Sequence, residues 1–427
     1  MNLQWKRLDG FILVALLVLW IQPAMALAAQ TPEDDESTTV QQFGGPGSVP
    51  GQLADDARLT ESLTDRAMLQ DYLDWKDRVY KEYGLNFSLD YNAAFLSASN
   101  TLRAEDNFAS GAVRFFGTWD LVGRESGNTG SFVWKIEHRH KYTDIPVSGA
   151  ASEIGFVGSI LPPFSDIGTR LTNLYWKQNL NENRVEIIAG MIDTTDWVDL
   201  YALASPWNGF LNFAFATGGA AMALPDNAAL GLYVNAMLTD NLYIIGGFAD
   251  SNADSTDPFN GFDTFFNDRE YTSTIELGWT TSRDRFYFDN THLTYWHADE
   301  RVKAGVPSGW GVNFSFAHAF DDKWMPFVRA GYAEDGGTLL QKTLGAGFGY
   351  HWGKNNSLLG LGFNWGQPNE TTYGPGLDDQ YVVELFSRLQ VMRNLQLTPD
   401  LQYIRNPALN PTADHSWVVG LRARLIF

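Results

Sequence analysis

From Leu85 to Phe427, apolar and polar residues alternate in one short segment after another, with turn-forming residues between. Side chains two apart on a strand share a face, so each segment predicts a strand with one apolar and one polar face. The last, Trp417 to Phe427, is the plainest. Trp417, Val419, Leu421, Ala423, Leu425 and Phe427 lie on one face; Val418, Gly420, Arg422, Arg424 and Ile426 lie on the other. A soluble sheet hides its apolar face, whereas a transmembrane barrel turns it to lipid and lines its lumen with polar residues. A single edge strand fits either arrangement, so the rest of the chain decides.

The N-terminus adds a direction of travel. Lys6 and Arg7 precede a short apolar core, Phe11 to Trp20, and the small residues Ala24, Ala26, Ala28 and Ala29 follow. Residues 1–28 therefore read as a signal peptide, too short for a spanning helix of about 20 apolar residues. Later apolar runs are short and broken by Asn, Asp or Gly. An exported chain without spanning helices is either soluble or a membrane barrel. Cysteine is absent, so disulfides do not hold it together, and a closed hydrogen-bonded barrel would. A formal charge of −20 excludes the basic patches that nucleic acid requires.

Residues 29–63 are acidic and rich in Gly, Pro and Ser, including FGGPGSVPGQ at 43–52, and read as a flexible linker. Residues 64–84 change character. Met68, Leu69, Tyr72, Trp75, Val79 and Tyr83 recur at three or four residues, predicting one amphipathic helix with Thr64 as N-cap and Gly84 as stop. A lone helix in a strand-rich chain is expected at the periplasmic end of the barrel.

Residues 85–427 form the barrel domain. Leu85, Phe87, Leu89 and Tyr91 alternate with Asn86, Ser88, Asp90 and Asn92; Phe132, Trp134 and Ile136 alternate with Lys135, Glu137, Arg139 and Lys141. Further strands fall near 168–179, 230–237, 241–250, 273–280, 284–297, 310–320, 324–333 and 380–392, with a weaker one at 210–217. The tally is about sixteen, an even number as single-chain bacterial barrels favour. The predicted fold is all-β, a transmembrane antiparallel barrel wide enough for an aqueous channel. Short connections (181–183, 321–322, 354–356, 393–394) alternate with long ones (143–167, 193–229, 251–271, 366–379), as periplasmic turns alternate with external loops.

The usual nucleotide, metalloprotease and hydrolase motifs are missing, and Gly345, Gly347 and Gly349 sit inside a strand rather than before a helix. No cofactor or metal site is expected; His138 and His140 share a face with Trp134 and Ile136, not with acidic partners. The positive finding is charge on the inward faces. Arg114, Asp120, Lys135, Glu137, Arg139, Lys141, Arg184, Glu186, Glu384, Arg388, Arg422 and Arg424 are the pore-lining candidates. A water-filled lumen tolerates such charges and would be tuned by them. Each pair alone is worth little if solvated.

The helix-to-strand entry LQDYLDWKDRVYKEYGLNFSLDYNAAF at 69–95, KIEHRH at 135–140, AGMIDTTDWVD at 189–199, LTYWHADER at 293–301, PFVRAGYAEDGG at 326–337 and LTPDLQYIRNP at 397–407 occur in that order. With the closing Phe427, this series resembles the carbohydrate-selective porins of the OprB type over about 69–427. The resemblance implies a sixteen-stranded barrel in the outer membrane of a Gram-negative bacterium, admitting mono- or oligosaccharides passively. It makes Lys135, Glu137 and Arg139 the first candidates for the constriction. A terminal Phe427 implies recognition by the barrel-assembly machinery, and outer-membrane lipid is the other expected partner. Sugar passage also needs aromatic faces for pyranose rings, for which Trp197, Tyr201, Trp207 and Phe210 are the candidates, against ordinary loop packing. Competing readings are a general porin without sugar preference and an outer-membrane enzyme such as a lipase. Oligomeric state and the identity of the sugar stay open.

Overall fold

Each alternating segment pairs with its neighbours in sequence, and the ladder closes on itself as sixteen antiparallel strands. The structure is a computed structural model that describes residues 43–57, 70–124, 126–352 and 357–427. The strands are β1 Leu85–Ala98, β2 Asn107–Val122, β3 Gly130–Lys141, β4 Gly168–Leu180, β5 Val185–Ile192, β6 Ala229–Met237, β7 Leu242–Asp250 and β8 Tyr271–Thr280. There follow β9 Asn290–Ala298, β10 Gly309–Ala317, β11 Trp324–Asp335, β12 Leu340–His351, β13 Leu358–Pro368, β14 Gln380–Met392, β15 Leu395–Arg405 and β16 His415–Ile426. The seam joins β1 to β16, from Asp90 opposite Ile426 to Ala98 opposite Val418. Closure leaves no unpaired edge, a condition for backbone in lipid.

The two ends differ as the connection lengths predict. At the turn end, Asn181, Glu182 and Asn183 have φ of 53°, 55° and 62°, and Asp321 and Asp322 have 51° each. Asn and Asp tolerate this left-handed region, which tight hairpins use. The long connections gather at the other end. The predicted 354–356 turn lies outside the described residues, as does the signal peptide. The stretch 284–297 is strand only from Asn290, because Arg283–Arg285 forms a short helical turn and Phe286 and Tyr287 turn inward and are buried. The weak candidate at 210–217 is loop, with a single tight turn at Phe213–Phe215.

Faces follow the alternation. Leu89, Phe115, Ile136, Ile275, Leu277, Leu361, Phe363, Val419 and Leu421 are exposed on the outside, and Leu277 keeps 56% of its surface free. Their inward neighbours are buried and largely polar: Asp90, Arg114, Glu137, Glu276, Glu384 and Arg422 among them. In water this arrangement would be inside out; in a bilayer it places apolar side chains against lipid.

Among the described residues two helices precede the barrel, α1 at Val49–Ala57 and α2 at Gln70–Tyr83. Helix α2 ends where Gly84 takes φ 72°, a left-handed stop that suits glycine. It packs at the turn end. Trp75 meets Phe87 edge-on at 6.0 Å, Trp119 donates to the Tyr83 carbonyl at 3.2 Å, and Arg124 donates to the carbonyls of Tyr80, Lys81 and Glu82. A cation there also faces the negative end of the helix dipole. The predicted Thr64 cap lies outside the described residues.

The linker reading of 29–63 does not hold for 43–57. This stretch is folded inside the barrel, with Phe43, Ser48, Val49, Gln52 and Leu53 buried. Pro50 stands at the second position of α1, where its missing N–H costs nothing.

Candidate pore and the segments folded into it

The loop at 193–228 runs into the lumen instead of over the rim. It leaves β5 through a turn whose first residue, Asp193, accepts from the Thr195 amide at 3.1 Å. Inside, it is latched to the wall strand by strand. Glu276 accepts from the Asp199 amide at 2.6 Å, and His292 lies 3.1 Å from the Asp199 carboxylate. Arg329 pairs with that same carboxylate and donates to the Ala216 carbonyl at 2.7 Å. Glu384 accepts from the amides of Leu211 at 2.5 Å and Asn212 at 3.0 Å. Arg388 donates to the Asn208 carbonyl at 3.1 Å, and Arg422 to the carbonyls of Pro206 at 2.6 Å and Gly209 at 3.1 Å. A loop has backbone groups that must find partners once it leaves water, and inward charges of β8, β11, β14 and β16 supply them.

Small residues let the loop approach the wall. A side chain at Gly362 would meet the rings of Phe215 at 2.7 Å and Phe210 at 3.0 Å. The predicted sugar-stacking set divides accordingly. Trp197, Tyr201 and Phe210 are buried as packing residues: Trp197 against Tyr175, Tyr201 against Phe327 and beneath Arg329, Phe210 among Phe215, Phe327 and Phe386. Ordinary loop packing is the observed outcome for these three. Trp207 alone of the four borders open space.

That space is an outer cavity of about 290 Å³, towards the loop end. Strand β3 presents Lys135, Glu137 and Arg139 to it in consecutive inward positions. Arg139 donates to Glu137 at 2.7 Å; Lys135 lies 3.9 Å from Asp196 and 3.4 Å from the Gly47 carbonyl. On the adjacent strand β4, directly opposite Glu137 in the ladder, Arg170 donates to Asp226 at 2.7 Å and Asn227 at 2.8 Å. Burial raises the Asp226 carboxyl, but Arg170 and hydrogen bonds from Ser255 outweigh it and hold the group below the usual carboxylate range, so it stays charged. The indole of Trp207 is covered on one side by the Arg114 guanidinium, 3.9 Å from its centroid, a cation–π contact that fixes the ring.

The other pore-lining candidates spread out. Arg114 and Arg424 both pair with Asp90, which links β1, β2 and β16. Glu186 is buried beside Lys177 and Asn235, and Asp120 accepts from Ser131 at 2.6 Å beside a second cavity at the turn end. Two stand off the lumen. Arg184 lies in the hairpin turn before β5, partly exposed and paired with Asp240 at 2.8 Å; the three left-handed residues before it carry it past the ladder. Lys141 is exposed at the loop-end rim, paired with Asp166 at 3.2 Å. Sequence reasoning missed Asp199, Arg329, His292 and Arg170. Arg329 had a signal, since PFVRAGY alternates with it on the face opposite Val328 and Ala330.

A family model for the carbohydrate-selective porin, OprB family, matches residues 146–427. This chain belongs to that family. Among solved structures, the high-pH structure of Pseudomonas putida OprB is 16% identical and aligns at TM-score 0.67, covering 86% of this chain and 100% of its own. A mutant of the Rh. blastica porin is 12% identical and aligns at TM-score 0.51, covering 80% and 100%. At these identities the likeness establishes the fold. No curated protein matches. The family match is narrower than the resemblance over 69–427: it leaves out α1, α2, the first three strands and, with them, Lys135, Glu137 and Arg139 of this porin.

Proposed function

We propose that this chain is a porin of the Gram-negative outer membrane through which mono- or oligosaccharides diffuse passively, and not an enzyme. The observation that carries the sugar preference is the outer cavity. Lys135, Arg139 and Arg170 supply donors, Glu137, Asp193 and Asp226 supply acceptors, and Trp207 supplies a ring. Hydroxyl-rich rings suit such a mixture, because each hydroxyl both donates and accepts. At about 290 Å³ the cavity stands at the lower limit of small-ligand pockets, roughly 300–1,000 Å³, a size for one ring at a time.

Single-channel recording with a panel of sugars tests this. Sugars are expected to block the current at concentrations where amino acids of similar size do not; equal block by both would reduce the chain to a general porin. Arg139→Ala is expected to weaken sugar block several-fold while the barrel still folds, because it removes a donor and frees Glu137. Unchanged block and unchanged ion selectivity would remove Arg139 from the pathway.

The closing strand is proposed as the mark read by the barrel-assembly machinery. The Phe427 amide donates to the Leu89 carbonyl at 2.8 Å, so the residue sits on the seam. Phe427→Ala is expected to lower the amount of folded barrel in outer membranes while refolding in detergent stays as it was. Equal loss in both would make it a stability effect alone.

A further inference from the structure

The outer cavity has a counterpart of about 470 Å³ at the turn end, between α1, α2 and the inward residues Asn86, Ser88, Thr118, Asp120 and Lys177. The two cavities have no lining residue in common, and residues 43–57 border both: Pro46 and Gly47 face the outer one, and Phe43, Gly44, Pro50 to Ala54, and Asp56 flank or face the inner one. The segment crosses from wall to wall. Asp56 makes a two-pronged pair with Arg424 of β16, at 2.8 and 2.9 Å. Phe43 meets Phe286 edge-on at 5.2 Å on the opposite side. In between, the Gly45 amide donates to the Asp196 carbonyl at 2.8 Å, so the segment also rests on the inward loop.

We propose that residues 43–57 are a displaceable plug, and that the solute path runs through the place they occupy. This rests on the porin reading and adds to it that the chain regulates its own bore. Two features argue for displacement. The hold on the segment is made of separate non-covalent contacts: the buried side chains of Phe43, Val49 and Leu53, the Asp56–Arg424 pair, Asp55 at 3.4 Å from the Tyr287 hydroxyl, and the backbone of Gly45 and Gly47 bonded to Asp196 and Lys135. Against them stands the ordering of four glycines, Gly44, Gly45, Gly47 and Gly51, which lose more backbone freedom than any other residue. Moreover, no strand of the barrel depends on the segment for a ladder partner, since the ladder closes without it.

A reversible lock tests the idea. A Cβ at Gly47 would lie 3.7 Å from Cβ of Ser205, within the range for a disulfide, and the chain has no cysteine of its own. The full-length double variant Gly47→Cys/Ser205→Cys is expected to conduct several-fold less when oxidised than after reduction. A variant lacking residues 43–57 is expected to conduct several-fold more than the intact chain and to show weaker discrimination among sugars by size. Equal currents in the oxidised and reduced forms, or in the deleted and intact chains, would overturn the plug and leave the porin. A cysteine pair that never oxidises would overturn the docked position. Absence of channels from every form, folded barrels included, would overturn the porin reading, and the plug with it.

Discussion

Arg329→Met is expected to release the inward loop. The guanidinium is the main counter-charge of Asp199, whose carboxylate is fully buried and otherwise faces His292 and the Gly218 amide. Removing one partner of a buried pair leaves an uncompensated charge, at a cost of about 3–5 kcal/mol. The loop also loses the bonds from Arg329 to the carbonyls of Phe215, Ala216 and Asp199. Protease added from the loop end should then cut within 193–228, and conductance should rise. Adding Asp199→Asn should restore much of the loss, because the charge is gone while the side chain still accepts from Gly218. Asn is the replacement of choice because residue 199 has φ 52°, a conformation Asn adopts readily. A loop as protease-resistant as before, with conductance unchanged, would show that this ion pair is not what holds it.

Asp90→Ala should weaken the barrel itself. Asp90 faces Arg114 directly across the β1–β2 ladder, and across the seam it accepts from Arg424 at 2.7 Å. One carboxylate serves two guanidiniums, and all three side chains are buried. Its removal leaves two buried cations short of a partner, again about 3–5 kcal/mol. The midpoint of urea unfolding for the refolded barrel should fall markedly, and the folded form should give way at lower temperature on a gel. Because Arg114 also fixes the Trp207 indole, sugar block should weaken in whatever barrel remains. A midpoint equal to that of the parent chain would mean that water or a neighbouring carboxylate takes over the role of Asp90.

Both predictions concern charges whose direction was legible in the sequence and whose partners were not. Alternation is a local property, so WVVGLRARLIF already places Arg422 and Arg424 on the face opposite Trp417 and Leu421, as the structure has it. The sixteen strands follow from the same rule repeated. What an inward charge touches depends on which loop bends in, and that is decided between residues far apart: Arg422 and Pro206, Glu384 and Leu211. The loop aromatics show the same limit. Trp197, Tyr201 and Phe210 suit a sugar-lined pore and a packed lid equally by residue type, and only the rings of Phe327 and Phe386 on the wall decide for packing. FGGPGSVPGQ is the harder case. Its buried apolar residues Phe43 and Val49, with Leu53 just beyond it, are too few to register as a periodic pattern, and its glycines and prolines match the composition of any linker.

Arg424 has one more consequence, in the order of assembly. Its Nε faces Asp90 and its two terminal nitrogens face Asp56. The Asp56 contact spans 368 residues of chain. Closing so long a loop is slow and entropically costly, and contacts of this separation form late in folding. The receptor for Asp56 is complete only once β16 lies against β1, since the same guanidinium is then oriented by Asp90. Barrel closure and the seating of residues 43–57 are thereby coupled: the strand that closes the ladder against β1 also carries the latch for Asp56.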